Sequence, residues 1–335
     1  MIELIPEQGQ FYKTNLHCHT NISDGTRPPE EVKEFYKRHG YSAVCFTDHE
    51  VLVPHNDLCD EDFIALHGYE VAVKQDIHAS TSWFQPVYHF NMIAKTQDNV
   101  YMPKFFLNNP MKVGNARTWL AKCGVYEETI DTTEYDIDWI NEYTKAVKDA
   151  GFLITYNHPE WSLQGPSDYI GLEHLHAIEV INGGCQALND NTSLHYNYML
   201  RAGRRLVPVG GDDNHRESGS LKAWTMIKAP QLSYDALIQA YEKGHCYATE
   251  GPEILRLVLE DGKIKVRTSS VVSIYLRTEG RYVQEAADKA AGVTEAEFDY
   301  CPEKFGKFFR IEIRDTHGYR AFSNAYYTDD LAKLR

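Results

Sequence analysis

The sequence predicts an α/β protein: strands alternating with helices over residues 1–250, then a small antiparallel β-sandwich over residues 251–335. Three observations carry that expectation. Apolar runs of strand length recur through the first two-thirds with helical patterns between several of them, the rhythm of a parallel sheet, open or closed into a barrel. Histidine and carboxylate residues gather at or just beyond the ends of these runs, where barrel sites are built. After Gly251-Pro252 the helical patterns give way to short strands and turns such as Asp261-Gly262 and His317-Gly318.

Residues 11–17 read as the first strand. Residues 28–36 read as a helix: prolines and acidic residues occupy its first turn, Val32, Phe35 and Tyr36 form its apolar stripe, and Gly40 ends it. A strand at 43–46 follows. Further strand-like runs lie at 63–66, 90–94, 152–156, 177–181 and 206–209, with helices at 137–150 and 194–202. Residues 96–135 are rich in Asn, Pro, Lys and Thr without periodicity and read as an insertion over the site, a lid in position. In the C-terminal part, 255–259, 263–268, 271–277, 308–314 and 320–326 read as strands. Alternation in Ile311-Glu312-Ile313-Arg314 indicates burial on one side.

A chain of 335 residues is long enough for one large domain and a smaller one. Its net charge of −14 argues against a duplex nucleic-acid partner, which needs a basic face. Small phosphorylated substrates stay open, because bound cations supply local positive charge that a formal count omits. Residues 1–6 lack a basic region and are broken by Pro6, so no signal peptide is expected there. No apolar run approaches membrane-spanning length, so no membrane partner is expected. The seven cysteines are scattered and form neither a disulfide framework nor a CxxC knuckle; a cytoplasmic protein is expected.

The most informative segment is His17-Cys18-His19-Thr20 followed by Ser23-Asp24-Gly25. Side chains at i and i+2 share one side of an extended strand, so His17 and His19 can face one cation, and a loop can fold Asp24 back to them. Thr47-Asp48-His49, Gly68-Tyr69-Glu70 and the segment from Gly210 through Asp212, Asp213 and Asn214 to His215 repeat the theme. Four such patches imply a polynuclear metal site and hydrolytic chemistry. Donors from imidazole and carboxylate without thiolate suit Mn, Zn or Fe. His89 and His158 stand in looser contexts, with His78 competing with His89. Asp48 and Asp212 adjoin ligands and are expected to hold histidine N–H groups. No Gly-x-Ser-x-Gly elbow and no P-loop competes.

Together these segments, with His89 and Asn157-His158-Pro159, resemble the polymerase-and-histidinol-phosphatase (PHP) family of metallohydrolases over about residues 12–250. The sandwich resembles the carbaryl-hydrolase-like branch of that family. The resemblance implies a distorted (β/α)7 barrel holding two or three divalent metals. One would take His17, His19, Glu70 and Asp213. A second would share Glu70 and add His89 and His158. A third would take Asp24, His49 and His215. Many members carry His at the position of Asp24; a carboxylate there makes the third site harder, favouring Mn or Fe.

The expected function is a phosphoesterase acting on a small phosphate mono- or diester, through a water that bridges two cations and loses a proton near neutral pH. Glu70 would bridge, Asp213 would steer a proton, and His215 or a water would protonate the leaving group. Arg216, Arg27 and Trp161 are candidates to contact substrate. Carboxyl or carbamate ester hydrolysis on the same centre is the alternative enzyme reading, and a scaffold with a vestigial barrel is the non-enzymatic one.

Overall fold

Pro29 opens the first helix as its sequence dictates, and the charges in that helix complement its dipole. Glu30 and Glu31 lie in the first turn, Lys37 and Arg38 in the last, and Val32, Phe35 and Tyr36 are buried. The computed structural model describes residues 1–75, 84–103, 113–123, 125–126, 134–188 and 193–334. In chain order the N-terminal part holds β1 (Ile2–Glu3), β2 (Gln10–Asn15), α1 (Pro29–Arg38), β3 (Ala43–Phe46), β4 (Ile64–Lys74) and β5 (Val87–Ala94). Then come β6 (Tyr101–Met102), α2 (Ala116–Cys123), β7 (Val125–Tyr126), α3 (Ile137–Asp149), β8 (Phe152–Tyr156) and α4 (Pro166–Tyr169). They are followed by β9 (Ala177–Asn182), α5 (Leu194–Arg201), β10 (Val207–Gly211), β11 (Trp224–Ala229), α6 (Tyr234–Glu242) and β12 (Cys246–Thr249). Among the described residues no helix is long and apolar enough to cross a membrane.

The strands join in the order β10-β9-β8-β5-β4-β3-β2-β11-β12. Parallel pairing holds for β2 with β3, β3 with β4, β8 with β9 and β9 with β10. The wholly parallel sheet expected from the sequence is not observed. β4 and β5 pair antiparallel, as do β5 with β8 and β2 with β11. β4 and β5 are joined by residues 75–86 alone, a link no longer than the shortest parallel crossovers, so an antiparallel neighbour is the easier pairing there.

The strand pairings also describe no closed (β/α)7 barrel. The sheet curls until β10 meets β11, where the Gly210 N–H donates to the Thr225 hydroxyl at 3.0 Å and that hydroxyl donates to the Gly210 carbonyl at 3.0 Å. A side chain stands there in place of a backbone ladder.

Of the expected insertion at 96–135, residues 104–112, 124 and 127–133 lie outside the described residues, as does His78. In the described part β6 pairs with β7. Asn115 donates its backbone N–H to the Ser23 carbonyl at 3.0 Å and its amide to the Asn21 carbonyl at 2.8 Å. The segment around Asn115 thus rests on the loop that carries Asp24.

The C-terminal part holds β13 (Ile254–Glu260), β14 (Lys263–Val271), β15 (Ser273–Thr278), β16 (Val283–Ala287) and β17 (Val293–Asp299). It ends with α7 (Pro302–Phe305), β18 (Phe308–Arg314), β19 (Arg320–Ser323), β20 (Tyr326–Tyr327) and α8 (Thr328–Lys333). One sheet is β1-β13-β14-β17; the facing one, β19-β18-β15-β16, is the continuation of the long sheet beyond β12. Leu257, Ile264 and Val266 of the first pack in one core with Ile274, Ile311 and Ile313 of the second. Two sheets are therefore present as expected, but the N-terminal residues Ile2 and Glu3 supply a strand to one of them.

Candidate metal centre

Two chain segments far apart in sequence build the floor of the site. Beyond β2, the His19 N–H donates to the Asn214 carbonyl at 3.3 Å and the Asp213 N–H donates to the His17 carbonyl at 2.9 Å. Asp213 thereby arrives beside His17 and His19. Asp213 has φ of 49° and His158 a φ of 25°, left-handed backbone that non-glycine residues adopt at a cost. Gly211 permits the approach: a Cβ there would lie 2.6 Å from the His17 Cβ and 2.8 Å from Glu179 Oε1.

Glu70 stands in the middle of β4 rather than after it, since that strand runs well past the apolar residues 63–66. His49, just past β3, forms an isolated bridge with it. His89 lies near the start of β5, and because β5 runs antiparallel to β4 that start falls beside Ala72, next to Glu70 on the same face. His158 follows β8.

The nine proposed ligands converge. Ligand atoms of His17, His19, Glu70 and Asp213 all lie within 4.8 Å of one another, as do those of Glu70, His89 and His158, and those of His19, Asp24, His49 and His215. Glu70 Oε1 is 3.0 Å from His89 Nδ1, 3.3 Å from His17 Nε2 and 3.4 Å from His158 Nε2. Its Oε2 is 3.1 Å from His49 Nδ1 and 3.3 Å from His19 Nε2. The first two groups are deeply buried. Asp24 and His215 are not: their side chains are 31% and 37% exposed, so the third group faces the mouth.

Electrostatics follow from this crowding. Burial opposes the charged form of Glu70, yet His89, His17 and His49 hold its carboxyl well below the usual range. Burial likewise opposes charge on Asp213, and His17, His19, His215 and His158 hold it low. His19 resists burial through Asp213 and Glu70, which push it up to about 10. His17 is also raised, against burial, by Asp213, Glu70 and Glu179. Burial and the neighbouring His19 push His49 down to about 3.

The donors fit divalent cations. His17 Nε2 and His19 Nε2 face each other at 3.1 Å. His19 Nδ1, His49 Nδ1, Glu70 Oε2 and His89 Nε2 are buried and meet no partner in hydrogen-bond geometry, although His49 Nδ1 and Glu70 Oε2 lie 3.1 Å apart. Buried polar atoms left in this way are costly unless something satisfies them, and an all-imidazole and carboxylate set suits Zn, Mn or Fe.

Around the ligands the structure corrects two expectations. Asp48 holds no histidine; it accepts from the backbone N–H and hydroxyl of Thr20 and of Ser23, at 2.7 to 3.0 Å, and so shapes the loop that presents Asp24. Asp212 accepts from the Tyr36 hydroxyl and from the N–H groups of Leu221, Lys222 and Ala223. The carboxylate that does hold a histidine is Glu179, with Oε1 2.9 Å from His17 Nδ1. Asn157, to which the sequence assigned no contact beyond its place beside His158, donates to Glu70 Oε1 at 2.8 Å. A signal existed for Glu179: it is the one charged residue in the apolar run 177–181.

Of the substrate-contact candidates, Trp161 lies against the second group, its ring centre 5.0 Å from that of His158 and 5.3 Å from that of His89, and is 38% exposed. Arg27 pairs with Glu217 and covers the Phe35 ring at 4.3 Å. Arg216 is exposed, and both arginines line one crevice with His19 and His215.

Residues 15–155 match the PHP domain. No curated protein matches the sequence. Two solved structures resemble this chain at low identity. One is a two-domain protein containing a predicted PHP-like metal-dependent phosphoesterase from Bacteroides vulgatus, 15% identical, covering 97% of this chain and 98% of its own, with a TM-score of 0.42. The other is an amidohydrolase from Chromobacterium violaceum with bound sulfate and no metal, 16% identical, covering 61% of this chain and 88% of its own, with a TM-score of 0.36.

Proposed function

We propose that this PHP protein is a metal-dependent hydrolase, and specifically a phosphoesterase that cleaves a small phosphate mono- or diester. The observation that carries the reading is the set of buried, unsatisfied donor atoms on His19, His49, Glu70 and His89 within a PHP domain. A scaffold has no reason to bear that cost. Divalent ions bound there supply Lewis acidity, acidifying water and neutralising charge on phosphoryl oxygens.

The chain's own residues do the rest. Glu70, touched by five histidines, shares its two oxygens between the buried groups and keeps them in register. Asp213, with Oδ1 3.1 Å from His19 Nε2 and Oδ2 3.8 Å from His158 Nε2, lies between those groups and receives a proton from the attacking water. His215, on the solvent side, returns a proton to the leaving oxygen. Arg216 and Arg27 flank the crevice beside His19 and His215 and attract the phosphate. Trp161 offers an apolar wall to the group that the phosphate carries.

The test is a substrate panel of phosphomonoesters, cyclic phosphodiesters and aryl carboxyl esters. The protein is assayed stripped of metal, with the stripping checked by elemental analysis, and reloaded with Mn²⁺, Zn²⁺ or Fe²⁺. Phosphate-ester turnover that disappears on stripping and returns on reloading is expected. Full activity in stripped protein, or carboxyl esters turned over faster than phosphate esters, would overturn it.

A further inference from the structure

We infer that Glu179 and Asn182 are positioning residues that hold His17, His158 and Asp213 in register with one another. The inference rests on the metal-binding reading of those three residues. Glu179 is buried on β9, and three donors converge on it. Its Oε1 meets His17 Nδ1 at 2.9 Å, and its Oε2 accepts from the His158 backbone N–H at 3.2 Å and from the Asn182 amide at 2.9 Å. A carboxylate has only acceptors, so Nδ1 of His17 carries the proton. That leaves Nε2 as the lone-pair nitrogen, and Nε2 is the atom 3.3 Å from Glu70 and 3.4 Å from Asp213.

Asn182 extends the device. Its amide nitrogen also donates to Asp213 Oδ2 at 3.2 Å, while its oxygen accepts from the Cys185 N–H at 2.9 Å. The Cys185 bond decides which end of the amide faces the two carboxylates. One strand therefore ties together residues delivered by the ends of β2, β8 and β10. Two of the three, His158 and Asp213, have left-handed backbone that needs such anchoring. Glu179 also lies within ligand distance of His17 and His158. Its oxygens, however, are already engaged by three donors, and it faces the nitrogen of His17 that points away from Glu70 and Asp213.

Zinc titration of the metal-stripped protein by calorimetry tests this, together with long-range ¹⁵N–¹H spectra of the zinc-loaded protein, which report the tautomer of His17. In E179Q an amide N–H₂ must face at least one donor, so the network breaks. The expected result is unchanged zinc stoichiometry at saturation, affinity weakened about 10- to 100-fold, and loss of the His17 Nδ1–H signal. N182A leaves the carboxylate in place and should weaken zinc binding less, while keeping the tautomer. Affinity within about twofold of the wild type with the tautomer retained in E179Q would overturn the inference. So would the loss of one zinc equivalent at saturation, which would make Glu179 a ligand. If E179Q does not fold, N182A decides: affinity equal to wild type overturns the inference. The probe is zinc alone, so the outcome stands apart from whether phosphate esters are the substrates.

Discussion

Glu70 is the residue on which the centre converges, and its neighbours divide the charge in a way that can be measured. In the metal-free chain, carboxylates outweigh burial at His17 and His158, raising both, and lift His19 to about 10. A divalent ion needs these imidazoles neutral, so binding below those values displaces protons. Zinc affinity should therefore rise as pH is raised from about 6 to 9. Calorimetry at pH 8 in buffers of different ionisation enthalpy should register proton release, and none would contradict the assignment. The folding linkage runs the other way. A raised histidine stabilises the metal-free fold fully below its unfolded value near 6.5, and that contribution is lost as pH climbs through about 10. The metal-free chain should melt lower at pH 10 than at pH 7. Asp24 serves the solvent-facing group, and its one approach to a buried group is to His19, 3.9 Å away, which both groups share. Asp24→Ala should thus lower phosphatase turnover by several powers of ten, while any aryl-ester turnover falls far less. Equal losses in both would show that this group has no special task in phosphate chemistry.

At the scale of elements, β9 and β10 pack so closely that Gly211 is a structural requirement. Gly211→Ala would press on the His17 Cβ and on Glu179 together. The expected cost is about 1–3 kcal/mol of stability, as for other overpacked sites, with weaker metal binding as well. A thermal melt and a zinc titration check both parts, and an unchanged melt would mean the backbone yields more easily than the packing suggests. Elements with strong patterns were legible in the sequence: α1 from its prolines and charges, and β18 at its bounds, residues 308–314 in both expectation and structure. The one-sided burial expected from the alternation of β18 is not observed, because Arg310 and Glu312 are buried beside α5. β16 and β17 were not. β16 ends the long sheet and has no fully buried residue, and β17 alternates over only a short stretch, burying Ala296 and Phe298 alone, so both carry a weak apolar signal.

Across the whole molecule, the two halves meet through a buried charged contact. Arg310 of β18 is fully buried, with its guanidinium 3.2 Å from Glu312 and 3.0 Å from the Asn197 oxygen of α5. Ser193 before α5 donates to Glu312 at 3.4 Å. Glu312→Ala would leave Arg310 buried without its counter-charge, and about 3–5 kcal/mol of stability should be lost. Urea unfolding would measure it; a loss below 1 kcal/mol would mean that water reaches Arg310. The same contact, with β12 pairing to β19 and β1 to β13, makes the division at residue 251 a boundary of pattern crossed by two sheets.

The sequence by itself supplied the donor set of the candidate centre. His17 and His19 were legible because strand period two puts them on one side, and His49, Asp213 and His215 because each follows an apolar run in a patch of like composition. It also indicated the change from mixed α/β to sheet-rich character in the C-terminal part, since turn and strand patterns are local. The tertiary structure alone decided strand direction, the open curl of the sheet, and the placement of Glu70 within β4. It alone separated Glu179, which faces His17, from Asp48 and Asp212, which face backbone N–H groups. The reason is that a carboxylate's partner depends on which distant strand ends arrive beside it, and no local period in the chain encodes that arrival.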